Sequence, residues 1–166
     1  MAERQERTAP DAVLTRIGQV VMLHHAGDRE EARRRLLDLW AEFGEHGAPL
    51  HRCTLAHYLA DTQDDPSDEL AWDLRALSAA DEAEEDVRLR GFYPSLHLNL
   101  AADYVKLGRT EAARSHLHHA RGTAAALGDD GYGNGVRAAI SRLEQRLGDA
   151  GDPGGDSWGP PRQRPK

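Results

Sequence analysis

The strongest constraint on the fold is the spacing of glycine and proline residues between runs of apolar residues with helical periodicity. Apolar side chains recur every three or four positions from about residue 10 to residue 147, and no stretch alternates cleanly with a period of two. Aromatic residues make up only 5% of the chain, which also disfavours strands. We therefore expect an all-α fold of seven helices. The predicted breaks lie at Gly27, Gly44, 64–67, Gly91, Gly108 and 128–135.

Local signals for helix starts precede several of these segments. Thr8, with Pro10 in the first turn, predicts the first start. Asp28 followed by Glu31 has the spacing of a capping box. The segment 64–67, Asp-Asp-Pro-Ser, is expected to end the third helix and to cap the fourth.

Three acidic, glycine-rich or proline-rich stretches interrupt the periodic pattern. The fourth helix is expected to end near residue 80 or to continue through the acidic residues 81–86 to Gly91. Residues 129–135 contain three glycines at alternate positions, but they follow no strand and no lysine comes directly after them. This context excludes a phosphate loop and predicts a flexible turn. Residues 148–166, which include Trp158, are rich in Gly and Pro and are predicted to form a disordered tail.

Composition limits the classes of function. The chain has 28 acidic and 21 basic residues, for a net charge of -7, which disfavours nucleic-acid binding. The single cysteine, Cys53, excludes an intramolecular disulfide and fits a reducing compartment. No apolar run approaches 18 residues, and the charged segment 1–7 leads into no apolar stretch. We expect no membrane span, no secretory signal and a cytoplasmic location.

The region around Gly108 carries the clearest repeat pattern. It reads His97-x2-Leu100-Ala101-x2-Tyr104, then Gly108, then Ala113-x3-Leu117-x2-Ala120. This pattern resembles the tetratricopeptide repeat (TPR), in which small residues let two helices pack closely. The hairpin around Gly27 matches in its Gly-Asp turn, in Ala32 and in Leu36. The hairpin around residues 64–67 matches weakly, since its turn lacks glycine and its second helix lacks the small residue.

The resemblance implies a right-handed α-solenoid of about three TPR-like hairpins followed by a capping helix. The hairpins would span about residues 10–45, 48–80 and 94–128, the capping helix would span 134–147, and residues 1–9 would form an N-terminal arm. Leu23, Leu59 and Tyr104 take equivalent positions but lie 36 and then 45 residues apart, whereas the repeat is nominally 34. An antiparallel helical array without repeat geometry is the alternative.

In the TPR family the first helix of each hairpin lines a concave groove in which a partner peptide lies. The resemblance thus implies a non-catalytic module that binds a protein or peptide partner. The groove positions transferred to this chain are Ile17, Val21, His24, His25, Cys53, Thr54, His57, Asp61, Leu98, Asn99, Ala102 and Lys106.

The groove differs from the best-known version of the family, which clamps a terminal carboxylate with cationic and amide side chains. Ile17 and Val21 replace a cation and an amide, and Ser95 and Asn99 replace cations. The resemblance therefore favours a peptide of mixed polarity, or a partner with basic groups near Asp61.

One helix carries Cys53, His57 and Asp61 at successive i, i+4 positions, in a phase opposite to Leu55 and Leu59. This stripe is either a binding surface or a solvated helix face. As a metal site it supplies too few ligands, because a closed zinc site needs four. A Cys53–His57 dyad on one helix also lacks an oxyanion hole, so we expect no enzyme activity.

The remaining histidines give no stronger signal for a metal. His116, His118 and His119 are expected to lie on a solvent-exposed helix face, and no metal or cofactor is predicted. Two alternatives to the binding module stay open. One is a metal- or redox-responsive protein that uses Cys53 and His57, and the other is a structural protein that self-associates through exposed apolar patches.

Overall fold

The computed structural model describes the backbone of residues 2–44 and 46–150 and the side chains of residues 12–44 and 46–148. Within these ranges all regular structure is helical and no strand occurs, which confirms the predicted all-α class. The chain divides into two compact units, residues 1–92 and residues 93–166, and each is described by itself. The predicted tail falls mostly on residues 151–166, which lie outside the described residues.

Unit 1 contains two helical hairpins and a short additional helix. Within it, α1 packs against α2, α2 against α3, and α3 against α4, and α1 also contacts α3. The second hairpin therefore contacts both helices of the first hairpin, α1 and α2. The helices are α1 Ala2–His25, α2 Arg29–Phe43, α3 Pro49–Asp61, α4 Pro66–Asp81 and α5 Val87–Arg90.

The core of unit 1 is built from side chains at helical spacing on α1, α2 and α3. Trp40 of α2 and Trp72 of α4 pack beside it, with ring centroids 5.0 Å apart and planes at 87°. Such edge-to-face contacts are a favoured geometry for aromatic rings. The buried members are Ile17, Val20, Val21, Ala32, Leu36, Leu39, Leu55 and Leu59.

Helix α3 is buried around most of its circumference. Cys53 and Leu55 are both fully buried although they lie on different sides of the helix. The sequence placed Cys53 on a face of the helix separate from the core face that carries Leu55. That expectation is wrong, because both faces of α3 are buried. Its buried residues are Leu50, Cys53, Thr54, Leu55, Ala56, Leu59 and Ala60.

The described residues of unit 2 form three helices that contact one another in all pairs. They are α6 Tyr93–Lys106, α7 Thr110–Ala124 and α8 Gly131–Ala150. Small residues dominate the contact between α6 and α7, and larger aliphatic residues come from α8. The buried core consists of Ala101, Ala113, Leu117, Ala120, Ala124, Val136, Ile140, Leu143 and Leu147.

Two hairpin turns use a glycine with a left-handed backbone. Gly27 has φ 95° and Gly108 has φ 72°. After α1, the amide of Gly27 donates to the carbonyl of His24, and that of Asp28 donates to Leu23. After α6, the amides of Gly108 and Arg109 make the equivalent pair of bonds. Both ends are Schellman motifs, which satisfy the last carbonyls of the helix.

Helix starts agree only partly with the sequence signals. Helix α1 begins at Ala2, so its backbone includes residues 2–9 and Thr8 is not its N-cap. Asp28 has φ -92° and ψ 64° and its side chain makes no capping bond, so the predicted capping box is absent. Asp65 does cap α4, because its carboxylate accepts a 2.8 Å bond from the amide of Ser67.

The segment after α4 is broken by a second cap. Helix α4 ends at Asp81, and α5 begins after Asp86, whose carboxylate accepts from the amide of Arg88 at 2.9 Å. Of the two expected ends for the fourth helix, the structure has the earlier one. Leu89 of α5 is fully buried, so this short helix also contributes to the buried interior.

The glycine-rich segment predicted as a flexible turn is largely helical. Helix α8 begins at Gly131, and Asp130 accepts a 2.7 Å bond from the amide of Gly133. A Cβ atom on Gly133 would lie only 2.2 Å from the carbonyl oxygen of Gly128. At this position, glycine permits a close backbone approach at the start of the helix.

Candidate functional site

The structure buries four of the predicted groove residues. Ile17 and Val21 belong to the core of unit 1, Cys53 is fully buried, and Thr54 donates its hydroxyl to the carbonyl of Leu50 at 2.7 Å. Buried side chains cannot contact a partner on the surface, so these four positions are corrected to core positions. On α1 the neighbouring residues Gly18 and Met22 are exposed, whereas on α3 Leu55 and Ala56, which follow Thr54, are fully buried.

Burial also determines the chemistry of Cys53. Desolvation, reinforced by the negative charge of Asp81, raises the pKa of its thiol to about 12. The thiolate is the form that attacks substrates and binds metals, and it is scarce at neutral pH when the pKa is this high. The environment of Cys53 therefore gives no support to a nucleophilic or redox role.

Four predicted groove residues converge at the C-terminal ends of α1 and α3. His24 and His25 form the last turn of α1, and His57 and Asp61 lie one turn apart at the end of α3. The three histidines all act electrostatically on the Asp61 carboxylate. We call His24, His25, His57 and Asp61 the His/Asp cluster.

The His/Asp cluster is partly desolvated. Burial lowers the pKa of His57, although the Asp61 carboxylate opposes that shift. Burial raises the pKa of Asp61 from its ordinary value, against the opposing effects of His57 and His24. His25 and Asp61 keep exposed surface, whereas His24 and His57 are partly buried. The Asp61 carboxylate thus lies within electrostatic range of three imidazoles at an accessible helix end.

The other predicted groove residues lie on α6 in unit 2. Leu98 and Ala102 are partly buried and pack against the core of that unit. Asn99 is also partly buried, and Lys106 is exposed in the last turn of the helix. These residues form a mixed surface on α6, with one cation at its end.

The sequence placed His116 and His119 of unit 2 on a solvent-exposed helix face, but His116 is partly buried and a third histidine, His97, lies beside both. His97 of α6 lies against two histidines of α7, with its ring centroid 5.3 Å from that of His116 and 5.1 Å from that of His119. Tyr93 and Tyr104 flank these rings at centroid distances of 6.1 Å from His97 and 5.5 Å from His116. The feature that could have revealed this cluster is the predicted pairing of the two helices, which brings residue 97 beside residue 116.

Surface crevices also occur elsewhere on the described parts of the units, and two of them contain ion pairs between helices. The crevice between α7 and α8 has a volume of about 310 Å³ and includes Arg121 and Glu144, which form an ion pair. The crevice between α1 and α2 has a volume of about 270 Å³ and includes the Arg16–Glu42 pair, whose guanidinium and carboxylate are 3.1 Å apart. Neither crevice includes a predicted groove residue, and neither combines a nucleophile with a base.

The comparisons with known proteins give no family. No family model matches the chain, and no curated protein or solved structure is significantly similar to it. Among the described residues, no helix is both long enough and apolar enough to cross a membrane. The functional argument therefore depends on the two units themselves.

Proposed function

We propose that the protein is a non-catalytic interaction module that binds a segment of a partner protein at the His/Asp cluster. The observation that carries this proposal is the convergence of His24, His25, His57 and Asp61 from two first helices, α1 and α3. Peptide-binding helical arrays place their recognition residues on such first helices, so that a bound segment contacts several hairpins at once.

A TPR-like architecture is part of the proposal. Gly27 and Gly108 close equivalent turns, and each is followed at the same spacing by a fully buried alanine, Ala32 or Ala113. The contacts of α1 with both α2 and α3 are those that successive repeats make. We propose that the hairpins belong to a right-handed solenoid of about three repeats, with α8 as its capping helix.

The chemistry of the cluster favours a partner segment with a basic side chain. The chain carries a net charge of -7, which attracts cationic partners over distances set by ionic strength. A lysine or arginine near Asp61 would stabilise its carboxylate and so offset the desolvation that raises the pKa. Nucleic acid is disfavoured by the same charge, and the single thiol fits a cytoplasmic location.

A capture experiment with matched variants tests the proposal. Wild-type protein, a His57→Ala/Asp61→Asn variant and an Asp38→Asn control on the exposed face of α2 are used as baits in an extract of the source cells. A specific partner should be retained by wild type and by the control and lost by the cluster variant. Melting temperatures of the three baits must agree for the comparison to hold.

Direct binding then locates the recognised segment. Overlapping peptides of the captured protein are titrated against each bait at two salt concentrations. We expect the binding peptide to contain Lys or Arg and to bind more weakly at high salt. Equal capture by the cluster variant and wild type would contradict the proposed site, and a binding peptide without basic residues would contradict the proposed chemistry.

The two alternatives receive different support. A metal- or redox-responsive role for Cys53 and His57 is disfavoured by the buried thiol with its pKa of about 12. Self-association stays a prediction, for which sedimentation over a range of concentrations is the test. Met22 and Val87, which are 71% and 72% exposed, are the apolar side chains to substitute if a dimer forms.

A further inference from the structure

The three clustered histidines of unit 2 come from two different helices. His97 lies on α6, whereas His116 and His119 lie one turn apart on α7. The Nδ1 atoms of His97 and His116 are 3.1 Å apart. The planes of these rings are inclined by 26°, and those of His97 and His119 by 25°. His97 therefore contacts both α7 histidines where the two helices meet.

We propose that His97, His116 and His119 bind one divalent transition-metal ion and so link α6 to α7. This inference is independent of the proposed partner site, since the His/Asp cluster lies in unit 1. Neutral imidazole is a ligand for Zn²⁺, Cu²⁺ and Ni²⁺, whereas Ca²⁺ and Mg²⁺ prefer oxygen. With three nitrogen ligands, the remaining coordination positions would hold water.

The separation of the two Nδ1 atoms fits shared coordination. Two nitrogens bound tetrahedrally to zinc at about 2.0–2.1 Å lie about 3.3 Å from each other. The 3.1 Å distance between His97 and His116 is close to this value. Metal binding would turn both rings so that their lone pairs point at one ion between them.

His119 supplies the third ligand from the adjacent turn of α7. Residues three apart on a helix have Cβ atoms about 5–6 Å apart, which places His116 and His119 on the same side. The stacked rings do not yet point at one common position, so metal binding requires His119 to change its side-chain torsions. His119 is exposed, and its ring contacts those of His97 and His118.

Burial favours the neutral form of His116, which is the form that binds metal. Burial, with a smaller effect of His119, lowers the pKa of His116, so its ring is neutral at pH 7. Without a metal, the contact between His97 and His116 is a hydrogen bond in which one ring donates and the other accepts. Metal binding would replace that bond with two coordinate bonds.

The test is a titration of the tag-free full chain with ZnCl₂ alone at pH 7.5, followed by calorimetry. We expect one ion per chain, and each of His97→Gln, His116→Gln and His119→Gln should weaken the affinity by at least about tenfold. His118→Gln is the matched control, because His118 is exposed on α7 and lines the crevice toward α8. A His24→Gln/His57→Gln variant controls for the other histidine cluster.

A second measurement separates ligation from folding. Far-ultraviolet circular dichroism checks that each variant keeps its helical content without metal, and Co²⁺ absorption reports nitrogen ligation directly. The Zn²⁺-induced rise in melting temperature should persist in both controls and disappear in the His97→Gln variant. Absence of stoichiometric binding in wild type, unchanged affinity in His97→Gln, or loss of binding in either control would overturn the proposal.

Discussion

The hairpins α1–α2 and α6–α7 end their first helices with the same turn but fill the space between their helices differently. Each has a left-handed glycine in the turn and a fully buried alanine early in the second helix. At equivalent positions farther from the turn, α1–α2 has Val20 and Leu39, whereas α6–α7 has Ala101 and Ala120. The turn fixes where the helices meet, and the size of the side chains fixes how closely they approach.

The largest expected effect comes from truncating the buried leucine that occupies the same position in each hairpin. Leu36→Ala and Leu117→Ala should each lower the free energy of unfolding by about 2–5 kcal/mol. The cost at Leu117 should be the greater, because alanine neighbours cannot move into the cavity as Leu39 and Val20 can around Leu36. Urea unfolding followed by circular dichroism measures both.

Leu37 provides the control for these leucine substitutions. It lies on α2 beside Leu36 but is 42% exposed, so Leu37→Ala should leave stability within about 0.5 kcal/mol. A cost at Leu36 larger than at Leu117 would contradict the idea that the alanine-rich contact is the less adaptable one.

Enlarging the buried alanine that occupies the same position in each hairpin should have the next largest effect. Ala32→Leu and Ala113→Leu introduce three carbon atoms into filled space, which costs about 1–3 kcal/mol. The effect should be greater at Ala113, since its neighbours Ala101 and Ala120 bring the helices closer. Ala41→Leu on the exposed side of α2 is the control, and a similar loss there would show that packing is not the cause.

Substitution of the turn glycines should cost less, and by a similar amount in both hairpins. Gly27→Ala and Gly108→Ala force a Cβ atom onto a left-handed backbone, at about 1–2 kcal/mol. Around Gly27 the space is open, so the backbone alone determines the cost. The controls have the opposite sign: Gly18→Ala in α1 and Gly122→Ala in α7 should stabilise by about 0.5–1 kcal/mol.

Local signals predicted the helices well and their ends less well. The turns at Gly27 and Gly108 were predictable, because only glycine adopts their backbone readily. The start of α8 was not, since Gly133 permits a close backbone approach there and residues 131–135 are helical instead of forming a flexible turn. Whether a glycine serves flexibility or close approach depends on tertiary neighbours that the sequence does not display.

The candidate sites, too, could be predicted only in part from local sequence patterns. Helical spacing placed His57 and Asp61 together on α3, and the structure keeps them together near His24. The same spacing placed Cys53 on their stripe, but α3 is buried on several sides, so that residue belongs to the core. The three-histidine cluster was missed because it depends on the contact between α6 and α7, which joins residues distant in sequence.

The smallest expected effect is the pH dependence that distinguishes the histidines of the two units. A histidine whose pKa is lowered by folding takes up its proton first in the unfolded chain. For His116 and His57, the free energy of unfolding should therefore fall as the pH drops below about 6.5. Asp61 acts oppositely, because its raised pKa makes the folded chain take up that proton first.

Urea midpoints at pH 7.5, 6.5 and 5.5 distinguish these contributions. His116→Gln should flatten the decline below pH 6.5, because it removes a neutral imidazole that folding protects from protonation. Asp61→Asn should steepen the decline, because it removes both the opposing carboxyl and the charge that supports protonated His57. If His116→Gln kept the full slope and Asp61→Asn left it unchanged, desolvation would not control the titration of either cluster.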